Sequence, residues 1–524
     1  MPARALGVAR RDQRTLVRAI RRYARLAGAR QVIHTPSVDW FALSPSLAAL
    51  AAGGLCLLVA VLTPRWLLRP LAAFTCALGC LGAVVAAALL YWRSADPQGV
   101  IADAVSRDRL AALAQIIVAG SGLLAVGISY SSRTRQEQVG EYYALLATAV
   151  GGMAFLVSAN NLMTLFLGLE WFSVCLYVLC AVEIDVVASL ESGLKYLIVG
   201  GVGSAVLLFG SALIYGSTGE LGFRAIADAT RAQHLEGDAL LLVGLAMLLA
   251  GLAFKASAAP FHMWTPDVYE GAPSPVTAFM SAATKTVALV LAMRVLTVAF
   301  PEKEQLWTVA VAVLVCASLA VGNLAALVQR RVKRLLAYSS ISHAGFMLIA
   351  IAAGNQLGGK ALLYYLVPYS AASLGAFAVV AARERELDAA VTLDNLAGFG
   401  WERPLLGVAM FSFMLGFAGF PLTGGFVGKF YVFSAAYERG WTWLVIVGVV
   451  ATLVSLYYYL AVIRAMYMRP AAELGLLAPI GGAPPREIML TASVFVALVV
   501  NVGAFFAVQP IVDLAKNAAA SIPL

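Results

Sequence analysis

The sequence predicts an all-α polytopic membrane protein of about 14 transmembrane helices, and three observations predict it. Of 524 residues, 61% are hydrophobic and 12% are charged, against about 25% charged in ordinary soluble domains. The apolar residues gather into fourteen segments, each near the ~20 residues that cross a bilayer core. Two of those segments are broken by proline and glycine, in corresponding places of two halves. Such a composition excludes a soluble globular domain, a disordered chain and a nucleic-acid binder.

The formal net charge of +9 is misleading. Nine arginines against Asp12 put +8 in residues 1–30, so the rest of the chain is nearly neutral. The excess therefore describes a basic N-terminal lead, residues 1–43, and not a basic surface for nucleic acid. This lead reads as an amphipathic segment on anionic lipid, or as an over-extended start, since no methionine follows Met1 before Met153.

The apolar segments run approximately over 44–63, 68–92, 110–131, 141–159, 161–183, 192–216, 238–259, 275–300, 305–328, 335–354, 360–382, 404–437, 440–467 and 488–509. Segments one to three (44–131) form an opening group. Segments four to eight (141–300) and nine to thirteen (305–467) form two five-helix repeats, and 488–509 is the last helix. An odd number of helices per repeat makes the two copies inverted. The connections that join odd to even segments hold fourteen lysines and arginines, and the opposite side, without the lead, holds nine. The positive-inside rule then puts both termini outside the cytoplasm.

The breaks lie in the seventh and twelfth segments. The seventh reads FKASAAPFHMW, with Pro260 five residues after Lys255; the twelfth reads GFAGFPLTGGFVGKF, with Pro421 and Gly424–Gly425 before Lys429. Proline removes a backbone donor and obstructs the preceding turn. Within a membrane, freed carbonyls need partners, so a broken helix marks a protein- or water-lined site. Paired breaks in two halves point to an inverted-repeat transporter.

The charged residues inside apolar segments carry the function. Glu170 is tenth in 161–183, Lys285 eleventh in 275–300, and Lys255 and Lys429 adjoin the breaks. Ionisable groups cost several kcal/mol at such depth and mark ion paths by default. Glu170 and Lys255 are expected to face each other as a charge pair. Lys195 follows Glu191 by four residues, so it suits either an interfacial ion pair or the same path. His343 lies within AYSSISHAGF, where Tyr338, Ser339, Ser340 and Ser342 surround it and suggest a relay. The six cysteines lie in apolar segments without CxxC spacing and read as packing. No His/Asp/Glu spacing suggests a metal site.

The runs LEWFSVCLYVL, ESGLKYLIVGG, FKASAAPFHMWTPDVYEGAPSPVTAF, VKRLLAYSSISHAGF and GFPLTGGFVGKFYVF closely resemble the antiporter-like subunit N of bacterial respiratory complex I, across about residues 44–510. The resemblance implies fourteen helices with two inverted five-helix repeats and a proton-translocating subunit of NADH:quinone oxidoreductase in a bacterial inner membrane. It implies a relay of Glu170, Lys255, Lys285, His343 and Lys429, with Lys195 a further member. It places FMN, the iron–sulfur clusters, NADH and quinone in partner membrane and peripheral subunits, and no cofactor in this chain. The lead departs from the family pattern. The competing readings are an Mrp-type cation/proton antiporter subunit, which shares repeats and lysines, and a non-pumping membrane anchor, which would tolerate neutral residues at Glu170 and Lys255.

Overall fold

The computed structural model describes residues 37–94, 96–132, 134–469 and 487–524. Most of the basic lead, together with Arg133 and Arg486 of the orientation count, lies outside the described residues. Among the described residues, twelve helices are long and apolar enough to cross a membrane. In chain order the helices are α1 (Trp40–Leu62), α2 (Arg65–Arg93), α3 (Arg109–Ser129), α4 (Val139–Leu156), α5 (Leu162–Cys180), α6 (Val187–Thr218) and α7 (Phe223–Ala232). The next are α8 (Ala239–Lys255), α9 (Trp264–Gly271), α10 (Ser274–Ala299), α11 (Glu304–Leu327), α12 (Val332–Ala353) and α13 (Gln356–Leu387). The chain continues through α14 (Phe399–Glu402), α15 (Pro404–Ala418), α16 (Gly424–Glu438), α17 (Thr442–Met468), α18 (Ile488–Phe506) and α19 (Val508–Ala519).

Polar caps set where many of these helices begin. Asp39, Asp108, Asn161, Asp238 and Asn355 each accept a backbone N–H of the first turn, which satisfies donors that the helix itself leaves free. The two broken segments behave as expected. Helix α8 has 17 residues and α15 has 15; at 1.5 Å per residue these reach roughly 22–26 Å, short of a ~30 Å hydrocarbon core. The chain resumes as α9 after the first break and as α16 after the second.

Three features were not legible in the segments. A hairpin of two strands, Gln98–Val100 and Val105–Arg107, follows α2. Helix α7 fills part of the 217–237 connection, and α19 folds back after α18, where Tyr91 Oη donates to the Leu514 carbonyl at 2.8 Å. These elements are short or amphipathic, and hydropathy over a membrane-length window does not register them.

The helices are not equally covered. Every residue of α10 is buried, and α12 and α13 are almost entirely so. By contrast α1, α6 and α18 bury one face and present apolar side chains such as Val61, Val202 and Phe495 outward, as lipid-facing helices do. The most enclosed helices thus carry Lys285 and His343.

The two halves share a clasp. Before α5, Asn161 bridges Gly222, with Leu162 N–H donating to Leu221 O and Phe223 N–H to Asn160 O. Before α12, Arg331 bridges Thr392, with Val332 N–H donating to Val391 O and Leu393 N–H to Arg330 O. Each clasp closes the same length of chain around a pair of helices, α5–α6 and α12–α13. The same donors, acceptors and spacing in both halves are what an internal repeat produces.

A buried ion pair joins the opening helices to the centre. Arg294 of α10 donates through Nη1 and Nη2 to the two oxygens of Asp108, at 2.6 and 2.8 Å, and both side chains are almost fully buried. Burial alone would push the Asp108 carboxyl up, but the guanidinium, the Ala111 N–H and the Ser106 hydroxyl hold it below the ordinary carboxylate range. Stranding one charge of such a pair costs about 3–5 kcal/mol. Arg294→Ala should therefore lower the melting temperature and yield of the assembled complex. Arg294→Leu with Asp108→Asn, which keeps a capping oxygen, should recover most of the loss.

Candidate functional site

The site is built at the two helix breaks. The last carbonyls of a helix have no intrahelical donor, and a hydrocarbon core supplies none. At the end of α8, Lys285 Nζ reaches across from α10 and donates to the Ala256 carbonyl at 3.1 Å. Trp264 Nε1 donates to the Phe254 carbonyl, also at 3.1 Å. At the end of α15, Lys429 Nζ donates to the carbonyls of Phe417 and Ala418, at 2.9 and 3.2 Å. Each break is thus met by a buried ammonium group. Lys429 lies near the N-terminal end of α16 in sequence and leans back toward it; what it meets there is the C-terminal end of α15. Its ammonium also sits over the Phe346 ring, 4.3 Å from the centroid.

Close approach at the second break requires glycine. A Cβ on Gly425 would stand 2.0 Å from the Gly416 carbonyl oxygen, so the start of α16 runs directly against the end of α15. Gly419 and Leu422 turn the chain between them with φ of 77° and 73°.

Lys255 makes a different contact from the expected one. It is the last residue of α8, and its Nζ donates to Ser173 Oγ of α5 at 2.8 Å. Phe172, Tyr177, Tyr196 and Phe254 surround the ammonium, with centroids 5.6 to 5.9 Å away. Glu170 lies one turn before Ser173 on the same helix, yet it forms no ion pair with Lys255, and its Oε1 is buried without a hydrogen-bond partner. The two residues share a region of the bundle, but the hydroxyl one turn along takes the ammonium in place of the carboxylate.

His343 is fully enclosed. Its Nδ1 is 2.9 Å from Tyr365 Oη, and its Nε2 is 3.0 Å from Tyr459 Oη, which also bonds Ser339 Oγ. The neighbouring serines were expected to surround the ring, but its partners are phenols from α13 and α17. Ser342 Oγ has no partner, and Ser340 bonds Tyr369 at 2.9 Å. Tyr365 and Tyr459 stand in apolar runs, where a phenol reads as ordinary core until helices are assembled around it.

Lys195 is not brought to this group. It is 43% exposed and pairs with Glu191 at 2.6 Å and Asp267 at 3.3 Å. Asp267 in turn pairs with Arg334, which also holds Glu270. This network ties α6, α9 and α12 together at one end of the bundle. Among the described residues no cluster of His, Cys, Asp and Glu could hold a metal ion.

A family model for the transmembrane region of NADH:quinone oxidoreductase and Mrp antiporters matches residues 159–455. The chain is 43% identical over 372 residues to an NADH-quinone oxidoreductase subunit N of Trichlorobacter lovleyi, covering 71% of this chain and 76% of that protein. It is 40% identical over 443 residues to the subunit N of Granulibacter bethesdensis, covering 83% and 91%. The chain belongs to the NADH-quinone oxidoreductase subunit N family. Among solved structures, a chain of respiratory complex I from Thermus thermophilus with bound aureothin matches 90% of this chain and 99% of its own length, with a TM-score of 0.74 and 34% identity. A chain of the Mrp complex from a Dietzia species superposes with a TM-score of 0.79 at 21% identity, over 92% of this chain and 97% of its own, which shows the fold alone. The Mrp chain is slightly more alike in shape, and sequence identity separates subunit N from the Mrp alternative. Glu170, Lys255, Lys285, His343 and Lys429 all lie within the matched region.

Gly425→Ala should force α16 off α15 and destabilise the chain by about 1–3 kcal/mol, as overpacking does. Gly503→Ala, with open space around its Cβ position, should leave it unchanged. Thermal unfolding of the solubilised complex measures both.

Proposed function

We propose that this chain translocates protons across the membrane as an antiporter-like subunit of a proton-pumping NADH:quinone oxidoreductase. The observation that carries the proposal is the placement of Lys255, Lys285 and Lys429, each fully buried and each hydrogen-bonded only to neutral oxygens. An amine held by hydroxyl and carbonyl acceptors keeps its site when its proton leaves; at Lys285 and Lys429 no carboxylate is stranded opposite it, whereas Lys255 also feels the charge of Glu170. Lysine, unlike arginine, readily exchanges its proton in such surroundings.

In this reading Glu170 and Lys255 receive the perturbation that drives the cycle, and Lys285 relays the proton. His343 passes it between the halves, and Lys429 hands it onward. Lys195, in its surface network, has the weakest claim to the relay. The chain supplies no redox group. NADH, FMN, the iron–sulfur clusters and quinone belong to partner membrane and peripheral subunits, and electron transfer there drives proton transfer here. The chain sits in a bacterial inner membrane as two inverted repeats, with both termini outside the cytoplasm, as the Lys/Arg count favours.

Lys285→Ala should assemble, because alanine suits a helix interior, and should suppress proton translocation by about 10²-fold or more if the lysine is an essential transfer group. Proton uptake or release per NADH oxidised, in vesicles carrying the assembled complex, checks this. Normal pumping with normal electron transfer would assign Lys285 a structural role as the acceptor-filling group at the first break.

A further inference from the structure

The C-terminal end of α13 and the N-terminal ends of α15 and α18 frame a groove of about 520 Å³. Its wall is apolar: Ala382 of α13, Leu405 and Leu406 of α15, and Ile488, Ala492 and Phe495 of α18 line it. Leu405, Ile488 and Phe495 are exposed. From Glu487 to Phe495 the groove follows α18 for roughly 12 Å at 1.5 Å per residue, which is most of one half of a ~30 Å hydrocarbon core. Trp401 of α14, just before α15, is 73% exposed, and its Nε1 donates to the Tyr467 carbonyl at 3.1 Å. Tryptophan favours the headgroup level, so the mouth of the groove lies at headgroup depth and its floor runs into the acyl region.

Charged side chains ring that mouth. Arg385, Glu386, Arg403 and Glu487 all line it. Arg385 is fully engaged, donating through Nη1 to Glu487 Oε2 and through Nη2 to the Ile128 carbonyl, both at 2.9 Å. Arg403 is not. Its Nε donates to Glu386 Oε1 at 2.9 Å, and its Nη1 and Nη2 meet no acceptor among the described residues. Glu386 is almost fully buried and also holds Arg383 at 3.1 Å, which fixes the Arg403 guanidinium at the rim. Glu487 offers Oε1 as a second, untaken acceptor among the described residues. The mouth therefore presents one free guanidinium fork and one free carboxylate oxygen above an apolar slot. Its ion pairs join Arg383, Arg385 and Arg403 to Glu386, Glu402 and Glu487, so positive and negative charges balance.

We propose that this groove holds one phospholipid with an ethanolamine headgroup. Its phosphate lies on the Nη1 and Nη2 fork of Arg403, a geometry in which arginine binds phosphate with two parallel hydrogen bonds. Its ammonium donates to Glu487 Oε1, since a carboxylate only accepts. One acyl chain follows α18 toward Phe495. The charge balance distinguishes this occupant from an anionic lipid, which has no cation for Glu487 and meets no net positive field. A choline headgroup has no N–H to give that oxygen. The lipid ties the start of α15 to the start of α18, and none of its contacts belongs to the relay.

The test uses the assembled complex in vesicles of phosphatidylglycerol doped with phosphatidylethanolamine that carries a photoreactive diazirine on its acyl chain. After illumination, peptide mapping should find residues 487–495 labelled well above the lipid-facing helix α6. Arg403→Gln should lower that labelling about tenfold, the range of a lost charge-assisted hydrogen bond; Glu386 keeps Arg383 in that variant. Ala492→Trp, which fills the slot and leaves every ion pair in place, should lower it as far, and it carries the test alone should Arg403→Gln fail to assemble. The same diazirine chain on phosphatidylcholine should label the groove several-fold less. Equal labelling of α18 and α6, or equal labelling by the two headgroups, overturns the proposal in favour of ordinary surrounding lipid. Absence of label in the groove also overturns it, and a benzophenone side chain placed at position 495 then shows whether another subunit covers the slot.

Discussion

A bilayer cannot solvate a peptide carbonyl, and this constraint organises the centre of the molecule. Helices α8 and α15 both stop part-way, at Lys255 and Ala418, and leave carbonyls facing a medium with no donors. Lys285 and Lys429 supply them. The breaks and the buried lysines therefore satisfy each other: each break needs a donor at depth, and each ammonium needs acceptors that lipid lacks. Function and fold draw on the same contacts at these two points.

The deep basic residues divide by chemistry. Arg294 faces Asp108, and Arg383 faces Glu386 and Glu402. A guanidinium stays charged at any accessible pH and requires a counter-charge when buried. Lys255, Lys285 and Lys429 meet hydroxyl and carbonyl oxygens. The arginines fasten helices together and the extramembranous networks close the ends, whereas Lys285 and Lys429 occupy places where charge can come and go without stranding an anion. The matching clasps at Asn161–Gly222 and Arg331–Thr392 set the frame in which both breaks recur.

A complex I chain and an Mrp-complex chain both superpose on this protein. The Mrp chain matches slightly better in shape and much less well in sequence. The fold alone therefore does not separate the two, and assignment depends on residues.

What the sequence by itself determined was the class of the protein, its apolar segments, the two breaks and the placing of Lys255, Lys285, His343 and Lys429 at depth. Each of these is a local property: hydropathy over twenty residues, a proline or glycine pair, or a charge surrounded by apolar neighbours. The tertiary structure alone decided the partners. It gave Lys255 to Ser173 and not to Glu170, His343 to Tyr365 and Tyr459 and not to its adjacent serines, and Lys429 to the far side of its own break. It also revealed Arg294 with Asp108, separated by 186 positions in the chain. A one-dimensional pattern reports how costly a group is to bury, but which oxygen or ring repays that burial depends on how helices distant in sequence are turned toward one another.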